Sequence, residues 1–405
     1  MTGVTKTNYR RTLNIILAES ILTYSGIFLC IPIMTVFWNG IGMNQFMIGV
    51  SQMVCAATLF LFDIPMGYFA DRFSRKALNV IGDIGITAAF VFYALARNFW
   101  MIVAAEILCG LFMAMSGGVD RAFLKIYSDK IDDSGELFKK KTAQLAVWQI
   151  VSMCLAIVIG MFISKYDIRL TIFAVALPYL AATILALRIK DIGEKIEAKH
   201  KNHFRDMIVN FSYVMKNNEI KWLVYSYAIG FEVTHPIIWA LTPLLVLVGV
   251  PVWLAGIGWL LWYGLAPLGT LLAKKTMHWK TSTQIFVPLM IVTLASLPVI
   301  ILPNLTTIWL FPLSGIAFGI VNIYIMPKIQ QKTQEKHQTT VVSIASSSAR
   351  LIYIPIVLIT NYFGNTAPQY ILLATVLIFA PLTLLAHVKL REFERGRKEG
   401  LNHEQ

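Results

Sequence analysis

Long apolar runs separated by short polar stretches fall near residues 12–37, 46–68, 77–96, 99–121, 142–163, 170–188, 221–248, 251–273, 282–302, 305–326, 339–361 and 368–388. Each is close to the length of about 20 residues that a helix needs to cross a bilayer core of ~30 Å. The pattern predicts an all-α membrane protein of 12 transmembrane helices, numbered here in chain order. The first run continues well past the length of a signal's apolar region, so it reads as a retained helix 1.

Composition supports that class. Of 405 residues, 57% are apolar and 14% are charged, against about a quarter charged in an average soluble domain. Disordered chains, disulfide-stapled secreted domains and collagen-like repeats need other compositions. Cys30, Cys55, Cys109 and Cys154 lie inside apolar runs with no paired spacing and no neighbouring ligands, so they read as packing residues. No metal and no cofactor is expected.

The net charge of +13 could suggest nucleic acid, but basic residues flanking apolar spans are explained by membrane topology. Thirty of the 35 Lys and Arg residues fall on the side that carries both termini. Three, Arg97, Lys165 and Arg169, fall on the other, while Arg121 and Arg350 lie inside spans. Both termini are therefore expected in the cytoplasm, with the protein in an inner or plasma membrane. The expected partners are a small-molecule substrate, protons and the lipid bilayer, with no nucleic acid, and the chain is expected to act as a monomer.

The longest connection, 189–220, is dense in charge and divides the spans six and six. The expected organisation is a six-helix bundle over 1–188, a cytoplasmic linker over 189–220, a second bundle over 221–388 and a tail over 389–405. Pro65-Met66-Gly67 recurs as Pro267-Leu268-Gly269, and Gly117-Gly118-Val119-Asp120 as Gly319-Ile320-Val321-Asn322, both at an offset of 202 residues. The shared offset points to a parallel duplication about an axis along the membrane normal.

Between helices 2 and 3 runs Gly67-Tyr68-Phe69-Ala70-Asp71-Arg72-Phe73-Ser74-Arg75-Lys76. It resembles G-x-L-A-D-R-x-G-R-K, the signature of the major facilitator superfamily. Asp63-Ile64-Pro65 before it, and Ser116-Gly117 through Asp120, Ala122, Tyr127 and Asp129 on helix 4, are similar to features of bacterial 12-helix drug and natural-product exporters of that family. Ser74 stands where the signature has glycine, and Glu106 where many proton-coupled exporters carry Arg. Helix 5 keeps only Gly160 of the glycine-rich antiporter motif, and Ala273-Lys274-Lys275 in the second half lacks the acid.

The resemblance implies two pseudo-symmetric six-helix bundles, transport by alternating access and a cavity lined by helices 1, 4, 7 and 10. It implies a cytoplasmic gate built from Gly67, Asp71, Arg72, Arg75, Lys76 and Asp120, with Asp71 capping the start of helix 11 at Thr339-Thr340. A carboxylate at such a junction is stabilised by Arg75 and by the positive end of a helix. The competing reading is that these charges only set topology.

An ionisable side chain in hydrocarbon costs at least ~2.5 kcal/mol, so each should face protein or water. Asp63, Asp120 and Arg121 lie near the cytoplasmic face, where pairing with loop charges is expected, and Asp83 on helix 3 is expected in a structural pair. Glu232 on helix 7 and Arg350 on helix 11 each lie about 16 Å from a helix end, near the midplane. His235 and Trp239 continue the Glu232 face of helix 7. Glu19 on helix 1 and Glu106 on helix 4 complete a candidate coupling set of Glu232, His235, Arg350, Glu19 and Glu106. Burial disfavours the charged form of an acid and of an imidazole, which brings both within reach of physiological proton exchange. A static Glu232–Arg350 pair is the alternative.

Trp259, Trp262 and Tyr263 share a face of helix 8. Trp148 with Gln144 on helix 5, and Tyr324 with Asn322 on helix 10, add polar-aromatic positions; packing or lipid contact would give the same stripes. Ser343, Ser346, Ser347 and Arg350 make a polar face on helix 11. An acidic, aromatic cavity suits a cationic or amphipathic solute. The function expected is proton-coupled export of a drug, antibiotic or other natural product, with proton-coupled nutrient uptake as runner-up. A transmembrane enzyme or scaffold is the rival class, and no metal cluster, nucleophile elbow or phosphate loop supports it.

Overall fold

A computed structural model describes the backbone of residues 3–72, 74–189, 211–334 and 338–403, and their side chains except 3–7, 64, 67, 68, 70–72, 322, 323, 338–340, 343 and 396–403. Among the described residues there are 12 helical spans long and apolar enough to cross a membrane. Helices 1 to 6 run Asn8–Gly40, Gln45–Asp63, Arg75–Leu95, Phe99–Asp129, Glu136–Ser164 and Ile168–Arg188. Helices 7 to 12 run Asn218–Leu247, Val252–Lys275, Thr281–Ile301, Thr307–Lys332, Ile344–Gly364 and Gln369–Arg395. Most of the linker expected over 189–220 lies outside the described residues, which resume at Phe211. Side chains such as Leu61, Trp100 and Leu377 are more than 60% exposed, an arrangement suited to hydrocarbon but not to water.

Polar side chains at the ends of the runs set where helices begin. The side chains of Ser74, Asn98, Asp167 and Asn217 accept hydrogen bonds from the backbone N–H groups of Ala77, Met101, Leu170 and Ile220. Each satisfies a donor that the first helical turn would leave open. Ser74, the residue that departs from the glycine signature, is therefore the N-cap of helix 3.

Helix 4 extends well beyond 121 because it is built in two pieces, Phe99–Ser116 and Val119–Asp129, joined at Gly117-Gly118. Gly118 has φ +76°, a conformation that costs glycine nothing. The second piece is amphipathic. Val119, Phe123, Leu124 and Tyr127 bury against Leu13, Ile16 and Leu17 of helix 1, while its charged face conceals this segment from a hydropathy reading.

The chain forms two compact units: Met1–Met43 with Val54–His200, and Asn44–Met53 with Lys201–Gln405. In the first, Arg169 of helix 6 donates to Ala94 O at 2.6 Å and Ala96 O at 2.8 Å, tying down the end of helix 3. In the second, the first turns of helix 2 pack on the end of helix 11. Phe46 N donates to Asn365 Oδ1 at 2.9 Å, and a Cβ on Gly49 would stand 2.8 Å from Asn361 Cβ. Helices 8 and 10 pack backbone to backbone. A Cβ on Gly315 would lie 1.9 Å from Trp262 O, one on Gly319 1.9 Å from Ala266 O, and one on Gly269 2.0 Å from Ile316 O. Small residues permit such backbone contact where lipid supplies no hydrophobic drive for helix association.

Candidate functional site

Helix 7 is broken at its midpoint. It runs Asn218–Glu232 and resumes as His235–Leu247, with Pro236 in the first turn of the second piece. Proline has no N–H, so the carbonyl of Glu232, four residues earlier, loses its helical donor. Irregular backbone at membrane depth is tolerated where it is enclosed by protein or lines a water-filled cavity. Glu232 sits at this break and is 3% exposed. Its Oε2 accepts no hydrogen bond, and His235 Nδ1 lies 3.4 Å from it. The same Nδ1 lies 3.2 Å from Phe231 O. Among the described residues the titratable side chain beside the Glu232 carboxyl group is therefore His235 on its own helix, and Arg350 is not one of its contacts.

Around this pair the second unit assembles aromatic rings from four helices, 7, 8, 10 and 11. Phe231 stacks on His235 at 4.7 Å between ring centroids, and Tyr353 of helix 11 meets His235 edge-on at 6.1 Å. Phe318 of helix 10 lies 6.2 Å from Phe231 and 5.2 Å from Trp262. Tyr263 contacts Trp259, Trp262 and Phe318, and Trp239 meets Trp259 at 6.2 Å. Phe231, His235, Trp239, Tyr263 and Phe318 are half-buried, and so is Arg350. Trp259 and Trp262 lie buried behind them, their indole N–H groups donating to Thr242 Oγ1 and Ser314 Oγ, each at 3.0 Å. Those bonds fix the two indoles as a rigid backing, so the accessible face is built from the half-buried rings.

Two of those rings, Phe231 and Phe318, were not anticipated. Phe231 stands four residues before His235 on one helical stripe, which is the signal that could have revealed it. Phe318 has the same relation to Asn322, whose side chain lies outside the described residues. Tyr324 is 3% exposed and its hydroxyl has no hydrogen-bond partner. A cavity of about 270 Å³ in the second unit, lined by Glu219, Trp279, Lys280 and Glu394 among others, lies along helix 7 about 20 Å from the break, judged by helical rise, and is a separate feature.

The first unit brings Glu19, Asp83 and Asp120 into one buried polar core. Glu19 Oε1 accepts from Asn79 Nδ2 at 2.9 Å. Asp120 Oδ2 accepts from Ser20 Oγ at 2.5 Å, its Oδ1 accepts from Arg121 N at 2.7 Å, and Gln149 Nε2 donates to Ser20 Oγ at 3.3 Å. Two expectations are corrected here. Among the described residues Asp120 bonds to Ser20 of helix 1 and to the N–H of Arg121, not to loop cations. Asp83 is 0% exposed and neither of its oxygens has a hydrogen-bond partner, so the expected structural pair does not form among the described residues. Asn79, Asp83 and Thr87 recur every four residues on helix 3, a buried polar stripe legible in the sequence.

Glu106 is a separate case. It is buried, and Tyr93 of helix 3 donates a hydrogen bond to its Oε1. Trp148 is 50% exposed on helix 5, and Gln144 accepts from Lys141 Nζ at 3.0 Å. Of the expected gate, the side chains of Asp71 and Arg72, and the environment of Gly67, lie outside the described residues. Lys76 donates to Leu187 O at 2.7 Å, closing the end of helix 6, and Arg75 opens helix 3 next to the Ser74 cap.

Comparison with known proteins places this geometry. The family model described as Major Facilitator Superfamily matches residues 17–356. The chain is 28% identical over 166 residues to the inner membrane transport protein YajR of Escherichia coli, an alignment covering 40% of this chain and 35% of that protein. The matched segment thus spans about a third of that relative's length. In structure, the chain superposes on a mutant of the nucleoside transporter NupG with a TM-score of 0.76 at 11% identity, covering 95% of this chain and 99% of that one. A D-xylose–proton symporter gives a TM-score of 0.69 at 11% identity, covering 96% and 97%. At those identities the structures show a shared fold.

Proposed function

We propose, for a chain that belongs to the Major Facilitator Superfamily and is thus a secondary transporter and not an enzyme, that protons drive export of an amphipathic or cationic organic compound. The observation that carries this reading is the Glu232 carboxyl group. It lies at the break of helix 7, 3.4 Å from His235 Nδ1, beneath half-buried aromatic rings. A carboxyl group and an imidazole at that spacing can hold one proton between them or pass it on. The rings of Phe231, Tyr263 and Phe318 offer π faces that attract a cation and flat surfaces that accept an apolar body. Protonating Glu232 would remove its charge and its claim on His235, which changes what the aromatic face prefers to bind. The excess of Lys and Arg at one end of the spans supports a reading in which both termini are cytoplasmic, in an inner or plasma membrane. On this reading Gly67, Asp71, Arg72, Arg75, Lys76 and Asp120 form a cytoplasmic gate.

Proton-driven uptake of a small nutrient is the second reading, favoured by the fold shared with a nucleoside transporter and a sugar–proton symporter. Two measurements separate them. Cells lacking the gene should become sensitive to a toxic amphipathic cation under export, and should fail to grow on a solute under uptake. Purified protein in liposomes should move the identified solute against its gradient when a pH gradient is imposed. Flux that ignores the pH gradient would overturn proton coupling.

A further inference from the structure

The buried acids of the first unit do not take part in the Glu232 arrangement, and their chemistry is unusual. Glu19 on helix 1 bonds to Asn79, one turn from Asp83 on helix 3, and Ser20 beside it bonds to Asp120 on helix 4. Among the described residues the buried Tyr179 of helix 6 is a further titratable group near Asp83. The cations packed along helix 3 are engaged elsewhere. Arg169 donates to Ala94 and Ala96 carbonyls, and Lys76 to the Leu187 carbonyl. Ala94 and Lys76 lie about 16 Å and 10 Å from Asp83 along the helix axis.

Hydrogen-bond donors are unequally shared among the three acids. Asp120 receives the Ser20 hydroxyl and the Arg121 N–H, is half-exposed, and sits in the first turn of Val119–Asp129, where the helix dipole favours an anion. Glu19 receives one donor, from Asn79, and its Oε2 has none. Asp83 receives none on either oxygen at 0% exposure. Two routes exist to neutralise such a group, a proton or a metal ion. A metal ion needs its ligands gathered about one point, and among the described residues no three acids, histidines or cysteines are so placed.

The geometry points to Asp83, served by Glu19 and Asp120, as a proton-binding site inside the first unit, distinct from the Glu232–His235 pair. The proton is held at Asp83, the member with neither a hydrogen-bond donor nor a counter-ion among the described residues. A protonated Asp83 turns one buried acceptor into an O–H donor and removes the charge that burial disfavours. The site goes beyond the export reading and does not depend on it.

Infrared spectroscopy of the full-length protein in nanodiscs at neutral pH tests it without any transport assay. A protonated buried carboxyl group gives a C=O stretch separate from that of carboxylates. The band should be present in the native protein, shift when aspartate is supplied as its carboxyl-¹³C form, and be lost in Asp83→Asn. It should persist in Glu232→Gln. In Asp83→Glu the band should return and no longer respond to the aspartate label, which keeps the test decisive if Asp83→Asn fails to fold. Absence of the band from the native protein, its indifference to the label, or its survival in folded Asp83→Asn would overturn the proposal. So would its loss on adding sodium at constant ionic strength, which would make the site a metal-ion site.

Discussion

His235 Nδ1 lies 3.4 Å from Glu232 Oε2 across a three-residue step that spans the break in helix 7. In an unbroken helix that spacing would be an ordinary surface contact. Here Pro236 opens the backbone between the two residues, so an acid and an imidazole share a site with an irregular main chain. Such broken helices are where transporters of several folds place their ligands.

Replacing Glu232 with Gln should fix the group in a form resembling the protonated acid. Counter-exchange of substrate should continue, while accumulation driven by a pH gradient should fall by about tenfold or more, equivalent to ~1.4 kcal/mol. Proteoliposomes loaded at one pH and diluted into another measure both. Uphill transport at the wild-type level would move the coupling role to another acid.

His235→Gln should leave Glu232 buried without its titratable neighbour. The pH dependence of transport should change shape, because one of two interacting groups is gone and the pair no longer titrates as a unit. Measuring initial rates across pH for both proteins checks this, and superimposable profiles would exclude His235 from the step.

Truncating Phe318 to Ala should weaken binding of a cationic solute by about 2- to 30-fold, the range of a single cation–π contact at ~0.5 to 2 kcal/mol. A neutral solute of the same shape should lose less. Equilibrium binding by scintillation proximity or tryptophan quenching would separate the two cases.

Gly319→Leu should destabilise the contact between helices 8 and 10, since even a Cβ there would lie 1.9 Å from Ala266 O. The expected cost is ~1 to 3 kcal/mol or more, typical of overpacking. Gly264, whose Cβ would meet nothing within 4 Å, supplies the control as Gly264→Leu. Thermal unfolding in detergent should rank the two variants in that order.

Trp262→Phe should remove the indole bond to Ser314 at 3.0 Å while preserving the ring. Hydrogen bonds between membrane helices are worth ~0.6 kcal/mol on average and at most ~1.7. A small loss of thermal stability, together with a larger loss of substrate affinity as the backing of Tyr263 and Phe318 loosens, is the expected pattern. Equal affinity would show that the indole only fills space.

The number of spans and the family were legible in the sequence. Hydrocarbon imposes one requirement, about 20 apolar residues per crossing, and every span must meet it within its own stretch of chain. The signature from Gly67 to Lys76 is likewise local, and so is the i, i+3 relation of Glu232 and His235. Tertiary structure decided what no local pattern encodes. It carried helix 4 on to Asp129 as an amphipathic segment packed on helix 1. It also set Asp120 against Ser20, 100 residues away along the chain, and left Asp83 without a hydrogen-bond partner among the described residues. Which groups meet across such separations depends on how whole helices rotate and slide on one another, and that is fixed by glycine contacts and side-chain shapes on both partners at once.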